Sequence, residues 1–160
     1  MEDNQFAGGD SGAAQVEMVS AGSLKKGDPV MIKEKPCKVV SFSTAKTGKH
    51  GSAKAMVTGI DVFTSNKLEC TFSTGDNVPA PIIKKTEYNL INIEDDGFVT
   101  LMTDSGETKE DIKLPEDEWL KDVVTRIKEI FSAQQKECLV TVLEALGQAK
   151  IVQVREGNAV

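Results

Sequence analysis

The sequence predicts an all-β fold: two small barrels in tandem, the second carrying a single helix. Three observations lead there. Short β-prone runs recur along the chain with turn signals between them. The charge changes sign part-way along, next to two prolines. Only one stretch repeats its apolar residues at helical spacing.

The elements follow in order. Residues 1–18 form an acidic, Gly/Ala/Ser-rich segment without periodicity, expected to be a disordered tail. Four β-prone runs come next: "PVMI" (29–32), "CKVVSF" (37–42), "KAMVTGIDVF" (54–63) and "KLECTF" (67–72). "KKGDP", "KEKP" and "TSNK" separate them as turns. Strands at this spacing within residues 19–83 read as a small β-barrel. "DNVPAPIIKKTEY" then brings two prolines, and the domain boundary is placed at residues 82–86.

Residues 84–160 read as a second domain. "YNLINI" (88–93), "FVTLM" (98–102) and "KEDIKL" (109–114) are strands divided by "EDDG" and "TDSGE" turns. Pro115 ends the third. Trp119, Leu120, Val123, Val124, Ile127, Ile130 and Phe131 then recur at helical spacing, predicting a helix over 115–133 with one apolar face. The acids at 116–118 suit its positive N-terminus. "CLVTVL" (138–143) and "KIVQV" (150–154) complete the chain. Three strands, a helix and two strands is the order of a five-stranded OB-type barrel, with the helix capping it.

Charge is segregated. Residues 21–84 hold ten lysines against five acids, whereas residues 85–160 hold nine bases against sixteen acids. The basic first unit keeps a nucleic-acid partner open despite a formal net charge of -6. Cys37, Cys70 and Cys138 are widely spaced with no C-x-x-C, so free thiols in a reducing compartment are expected. One histidine and scattered thiols do not make a metal site. The N-terminus lacks a basic start and an apolar block, and no run is long enough to span a membrane. The expected location is cytoplasmic.

No catalytic site, cofactor site or small-molecule substrate emerges. "TGKHG" fails as a phosphate loop: position 43 is Ser where Gly is needed, and position 50 is His where Ser or Thr is needed. A histidine-dependent triad would have to use His50, which lies between Gly48 and Gly51 in the sequence with nothing to orient it as a base. Asp95–Asp96 and Glu110–Asp111 lie in turns or on strand edges and read as solvated surface.

One stretch remains unexplained by folding alone. "STAKTGKHGSAK" (43–54) holds three lysines, the single histidine and no acid. From Lys35 to Ile60, 26 residues carry five lysines and no acid. Gly48 and Gly51 remove side chains around Lys49 and His50, and the stretch joins two strands of a barrel. The pattern points to a cationic probe directed at a polyanion, most simply RNA, with Lys49 at its point.

The stretches 43–54, "GIDVFT" (59–64) and "TDSGETKEDIKLP" (103–115) resemble the eukaryotic translation factor 5A family, hypusine-containing relatives of bacterial elongation factor P. The similarity runs from about residue 19 to the last strand. It implies an N-terminal SH3-like barrel followed by a C-terminal OB-fold barrel. It also implies that Lys49 is converted to hypusine by deoxyhypusine synthase, using spermidine, and deoxyhypusine hydroxylase. Lys46, Thr47, Gly48, His50, Gly51 and Lys54 are then the modification loop, facing tRNA and the ribosome. The implied role is a non-enzymatic elongation and initiation factor. It binds near the ribosomal E site, beside rRNA and peptidyl-tRNA, and relieves stalls such as those at proline runs and assists termination. The sequence departs from the family at Ser52, where many eukaryotic members have His, and at "STGDN" (73–77), where the family has Ser-Thr-His-Asn. Its second-barrel helix is also longer and more apolar. The alternative is a stand-alone OB-fold RNA-binding protein, with Tyr88 and Phe98 as the stacking candidates.

Overall fold

Alternation of buried and exposed side chains organises the strands of the computed structural model, which describes residues 15–46 and 53–160. The chain divides into two units: residues up to Ile83 with Ala145–Gly147, and Lys84–Glu144 with Gln148–Val160. The fold is mainly β with a single α-helix.

In the first unit, β1 (Val16–Ser20) leads through a 3-10 turn (Ala21–Ser23) to β2 (Pro29–Ile32), β3 (Lys35–Lys46), β4 (Ala53–Asp61), β5 (Lys67–Ser73) and β6 (Asn77–Pro81). β2, β3, β4 and β5 form one antiparallel sheet in that order, and β1 pairs with β6. Ala55 and Val57 from β4 meet Val30, Ile32, Cys37 and Val39 in the core. Burying each Val or Ile there stabilises the unit by about 1.5–3 kcal/mol relative to exposure. A bulge between Val39 and Ser41 leaves Val40 on the surface and bends the long β3.

The "GIDVFT" stretch closes the far end of β4. A Cβ on Gly59 would stand 2.9 Å from both Cys37 Cβ and Ile32 Cδ1, so only glycine fits. Asp61 is buried, and its Oδ1 accepts from the backbone N–H groups of Phe63 (2.8 Å) and Thr64 (3.3 Å). Its own carbonyl accepts from Ser65 N–H. The carboxylate thus replaces water for two turn amides, which is why it tolerates burial.

β1 and β6 were not expected from the sequence. The tail reading covers 1–18, yet Val16–Ser20 is strand; residues 1–14 lie outside the described residues. β6 falls inside the first predicted barrel, where the sequence offers no β-prone run because it carries Pro79 and Pro81. These are two residues apart, so both ring nitrogens can face away from β1, the partner of β6.

In the second unit, β7 (Lys84–Ile93), β8 (Phe98–Met102) and β9 (Thr108–Lys113) precede a 3-10 turn (Glu118–Leu120) and α1 (Lys121–Ala133). β10 (Lys136–Ala145) and β11 (Gln148–Ala159) follow. The sheet order is β11-β10-β7-β8-β9, and β9 comes back against β11 to close it. Tyr88, Leu90, Val99, Leu101, Val140, Val142 and Ile151 fill the interior, and Ile127 and Ile130 of α1 cover it. The helix starts later than predicted. Asp117 is extended, and its carboxylate takes an ion pair from Lys150 at 2.7 Å instead of lying in a helical turn. Trp119 falls before α1 and is 40% exposed, so it does not belong to the capping face. Gln134 in the left-handed region ends the helix. Only Ile82 and Ile83 separate β6 from β7.

Gly59→Ala should lower stability by about 1–3 kcal/mol, the usual cost of overpacking, measured by denaturant unfolding. The β2–β3 turn should respond the other way. Lys33 and Glu34 both have positive φ (52° and 66°) in a two-residue loop that favours Asn-Gly. Glu34→Gly is therefore expected to stabilise by about 1 kcal/mol, the penalty that a side chain carries there.

The thiols supply a pH test. Burial first, then the nearby Asp61 charge, pushes Cys37 up to about 11, against a backbone hydrogen bond at Ile32. Burial likewise pushes Cys138 to about 11, opposed by Arg126. Between the ordinary value of 9.0 and about 11, the unfolded chain releases protons that the folded chain keeps. Stability contributed by these thiols should be constant below pH 8 and fall as pH rises through 9 to 11. Melting temperatures across that range check this. Half-buried Cys70 should alkylate at pH 8 in the native protein, with Cys37 and Cys138 reacting only on unfolding.

Candidate functional site: the end of the β3–β4 hairpin

β3 and β4 pair from Cys37↔Asp61 to Lys46↔Ala53. Nine residue steps at the strand rise make this hairpin about 30 Å long. The register therefore puts the Lys46↔Ala53 pair at the opposite end of the hairpin from the Asp61 corner. Thr47, Gly48, Lys49, His50 and Gly51 lie outside the described residues. Lys46 is the last residue of β3, and its side chain is likewise not described.

The stem beneath them is well defined. Ser43, Thr44 and Ala45 are exposed on β3, and Ala55 is buried on β4. Ser41–Lys46 pairs with β4 and with no other strand among the described residues, because β2 reaches only Lys38. β4, by contrast, has β5 along its other edge as far as Lys54↔Ser73.

Lys54, expected to face the ribosome, has its amine anchored: Nζ donates to Ser73 Oγ at 3.0 Å. Thr74 N–H donates to the Ala53 carbonyl at 2.9 Å, carrying the pairing to the first described residue of β4. The 73–77 turn is thus part of the stem, a role the sequence reading left open. Its Ser-x-x-Asp spacing could have signalled a side-chain-closed turn: Ser73 N–H donates to Asp76 Oδ2 at 3.3 Å.

Electrostatically, nothing acidic lies in sequence between Lys35 and Ile60. Among the described residues no group of three or more His, Cys, Asp or Glu could hold a metal ion. Of the two stacking candidates in the second unit, Tyr88 is core, while Phe98 is exposed with Lys113 Nζ 5.8 Å from its ring centroid. No helix among the described residues is long and apolar enough to cross a membrane.

Comparison with known proteins decides the family. Residues 14–76 match the translation initiation factor 5A-like N-terminal family, and residues 82–155 match the family described as eukaryotic elongation factor 5A hypusine, DNA-binding OB fold. Eukaryotic translation initiation factor 5A-3 of Arabidopsis thaliana is 42% identical over 97% of this chain and 96% of its own length. The chain belongs to the translation initiation factor 5A family. Factor 5A-1 of Medicago sativa is 43% identical over 97% of this chain and 95% of its own. A solved factor 5A family protein from Naegleria fowleri is 43% identical. It superposes with a TM-score of 0.82 over 88% of this chain and 99% of its own. The solved factor 5A of Methanococcus jannaschii gives 0.65 at 34% identity, over 88% of this chain and 96% of its own. Factor 5A proteins are translation factors, which is not an enzyme class. The SH3-like and OB-fold barrels expected from the sequence accord with this membership.

Proposed function

We propose that this chain is a cytoplasmic translation factor that acts at the ribosome near the E site, with hypusine at Lys49 as its working group. The observation that carries the proposal is that, in a factor 5A chain, Lys46 and Ala53 are paired strand residues and the sequence joining them holds "KTGKHG" (46–51). A substrate lysine must enter another enzyme's site. A loop carried by a stiff two-stranded stem, with glycines beside the reacting residue, suits that entry. Deoxyhypusine synthase transfers an aminobutyl group from spermidine to the Lys49 amine, and deoxyhypusine hydroxylase adds the hydroxyl. The longer arm carries two amines, so it keeps its attraction for rRNA and peptidyl-tRNA phosphates while reaching further. The factor orients peptidyl-tRNA, and the ribosome performs the chemistry.

The rival is an OB-fold RNA binder that uses Phe98 and Lys113. Tyr88 is buried, so only one aromatic remains from the stacking pair considered. The nine bases and sixteen acids of residues 85–160 also disfavour a polyanion on that unit.

Peptide mapping after incubation with deoxyhypusine synthase and labelled spermidine should find the label on Lys49 alone; label on Lys46 or Lys54 instead would refute the assignment. Lys49→Arg should leave folding stability within about 0.5 kcal/mol of wild type, as for a surface change. It should nevertheless abolish relief of a polyproline stall in a reconstituted translation assay. Arginine keeps the charge but gives the synthase no primary amine. Rescue by the arginine variant equal to that of modified wild type would mean that charge alone suffices.

A further inference from the structure

We propose that copies of this chain associate head to tail, the exposed Trp119 of one copy seating on the outer face of the β3–β4–β5 sheet of another. The contact involves neither Lys49 nor its modification.

Strand alternation builds the receiving face. Ala55, Val57 and Gly59 of β4 are buried, so Met56, Thr58 and Ile60 point outward. Lys38 of β3 and Lys67 of β5 both pair with Ile60, and both are exposed. Two strand spacings put these lysines about 10 Å apart, with Ile60 between them. In the next row Ser41 and Glu69 flank Thr58, and in the row after it Ser43 and Thr71 flank Met56. Met56 is 43% exposed, and Val40, turned outward at the bulge, is 37% exposed. The face is therefore apolar along its middle. Lys38 and Lys67 mark one end, Lys54 on Ser73 marks the other, and Glu69 is the one acid in these rows.

The second unit carries the complement. Leu120 is fully buried, and its N–H donates to the Asp117 carbonyl at 3.1 Å, while the Asp117 carboxylate pairs with Lys150. The 3-10 turn is fixed on both sides, which holds Trp119 outward at 40% exposure. In sequence Trp119 stands among Glu116, Glu118 and Asp122, with Lys121 as the one base beside them.

A single exposed apolar residue needs no explanation, but these two patches match in kind and oppose in charge. An indole laid on Ile60 fits between Lys38 and Lys67. Cation–π attraction acts within about 6 Å of a ring centroid, so both ammonium groups can reach it. Glu118 and Asp122 bring the carboxylates that those lysines lack. RNA would answer the lysines but would bury nothing on Met56, Val40 and Ile60, whereas a second copy answers both. A ring already held by its turn also loses little freedom on docking.

Trp119 is the only tryptophan in the chain, so its emission reports the contact directly. Full-length wild type should shift its emission to shorter wavelength between about 1 μM and about 1 mM, in step with a rise in mass by analytical ultracentrifugation. Salt at about 0.5 M should reverse both changes, because it shortens charge screening to under about 5 Å. Two double variants at exposed positions test the pairing: Lys38→Glu with Lys67→Glu, and Glu118→Lys with Asp122→Lys. Each alone should self-associate about tenfold more weakly, since like charges then meet. Mixed in equal amounts, they should associate again, because the intact turn of the first meets the intact face of the second. A mixture as monomeric as either variant alone overturns the proposal. So does wild type that stays monomeric to about 1 mM while a single-stranded RNA oligonucleotide binds the Lys38–Lys67 face, and so does an emission shift that does not depend on protein concentration.

Discussion

The register of β4 between β3 and β5 is the constraint on which the first unit turns. Side chains alternate across a strand, so a slip of one residue would send Ala55 and Val57 to solvent and bring Met56 and Thr58 inward. The same slip would move Gly59 away from Cys37 and Ile32, where no other residue fits. It would also break the match between Ala53 and Thr74, and between Lys54 and Ser73, at the opposite end. One hydrophobic alternation therefore sets both the core and the place where the loop departs. The pairing of Lys46 with Ala53 is thus tied to packing about 30 Å away along the strand.

Much of this was legible from the sequence because the strands that matter alternate and end on unambiguous turns. β2 and β8 fall where the apolar runs place them, and β3, β5, β7, β10 and β11 contain the runs but extend beyond them, whereas β4 stops at Asp61, short of its run's end at Phe63. The extensions share a cause: Ala, Ser, Thr and Lys at strand ends carry weak β preference, and ladder bonds rather than side chains hold them. β6 was hidden by its prolines, since the rule against proline in strands applies to positions whose amide must donate. The helix start was misplaced because Pro115 and the acids after it mimic a helix N-terminus, although Asp117 is committed to Lys150. At the candidate site, the glycines and the lack of acids single out Lys49 in the sequence, and that residue lies outside the described residues. The bond between Lys54 and Ser73 was not legible. Nothing in "STGDN" announces a long-range bond to Lys54, which exists only once β4 and β5 are paired.

The buried acid and the buried thiol at the Asp61 corner show how the unit accommodates polarity. Asp61 is the one buried charged residue among the described residues, and its Oδ1 accepts from two turn amides. Its charge lies near Cys37, with which it pairs in register, and reinforces burial in keeping that thiol protonated. A protonated, enclosed thiol is a poor nucleophile and a poor metal ligand. The corner is therefore a structural joint, and its chemistry is directed at holding the chain.

Under the proposed function, the residues that stabilise the first unit are distinct from the one that is modified. At the Asp61 end, glycine, carboxylate and core side chains are so closely fitted that small changes disturb packing. Around Lys46 and Ala53 the sequence offers small and cationic residues with no acid among them. An enzyme that uses a lysine as nucleophile usually lowers its pKa by burial or a neighbouring cation. A lysine that serves as substrate needs neither, because the modifying enzyme can supply that environment. What the protein must supply is a stem stiff enough to present the residue. The absence of a chemical partner in sequence around Lys49 is then what the proposed role requires.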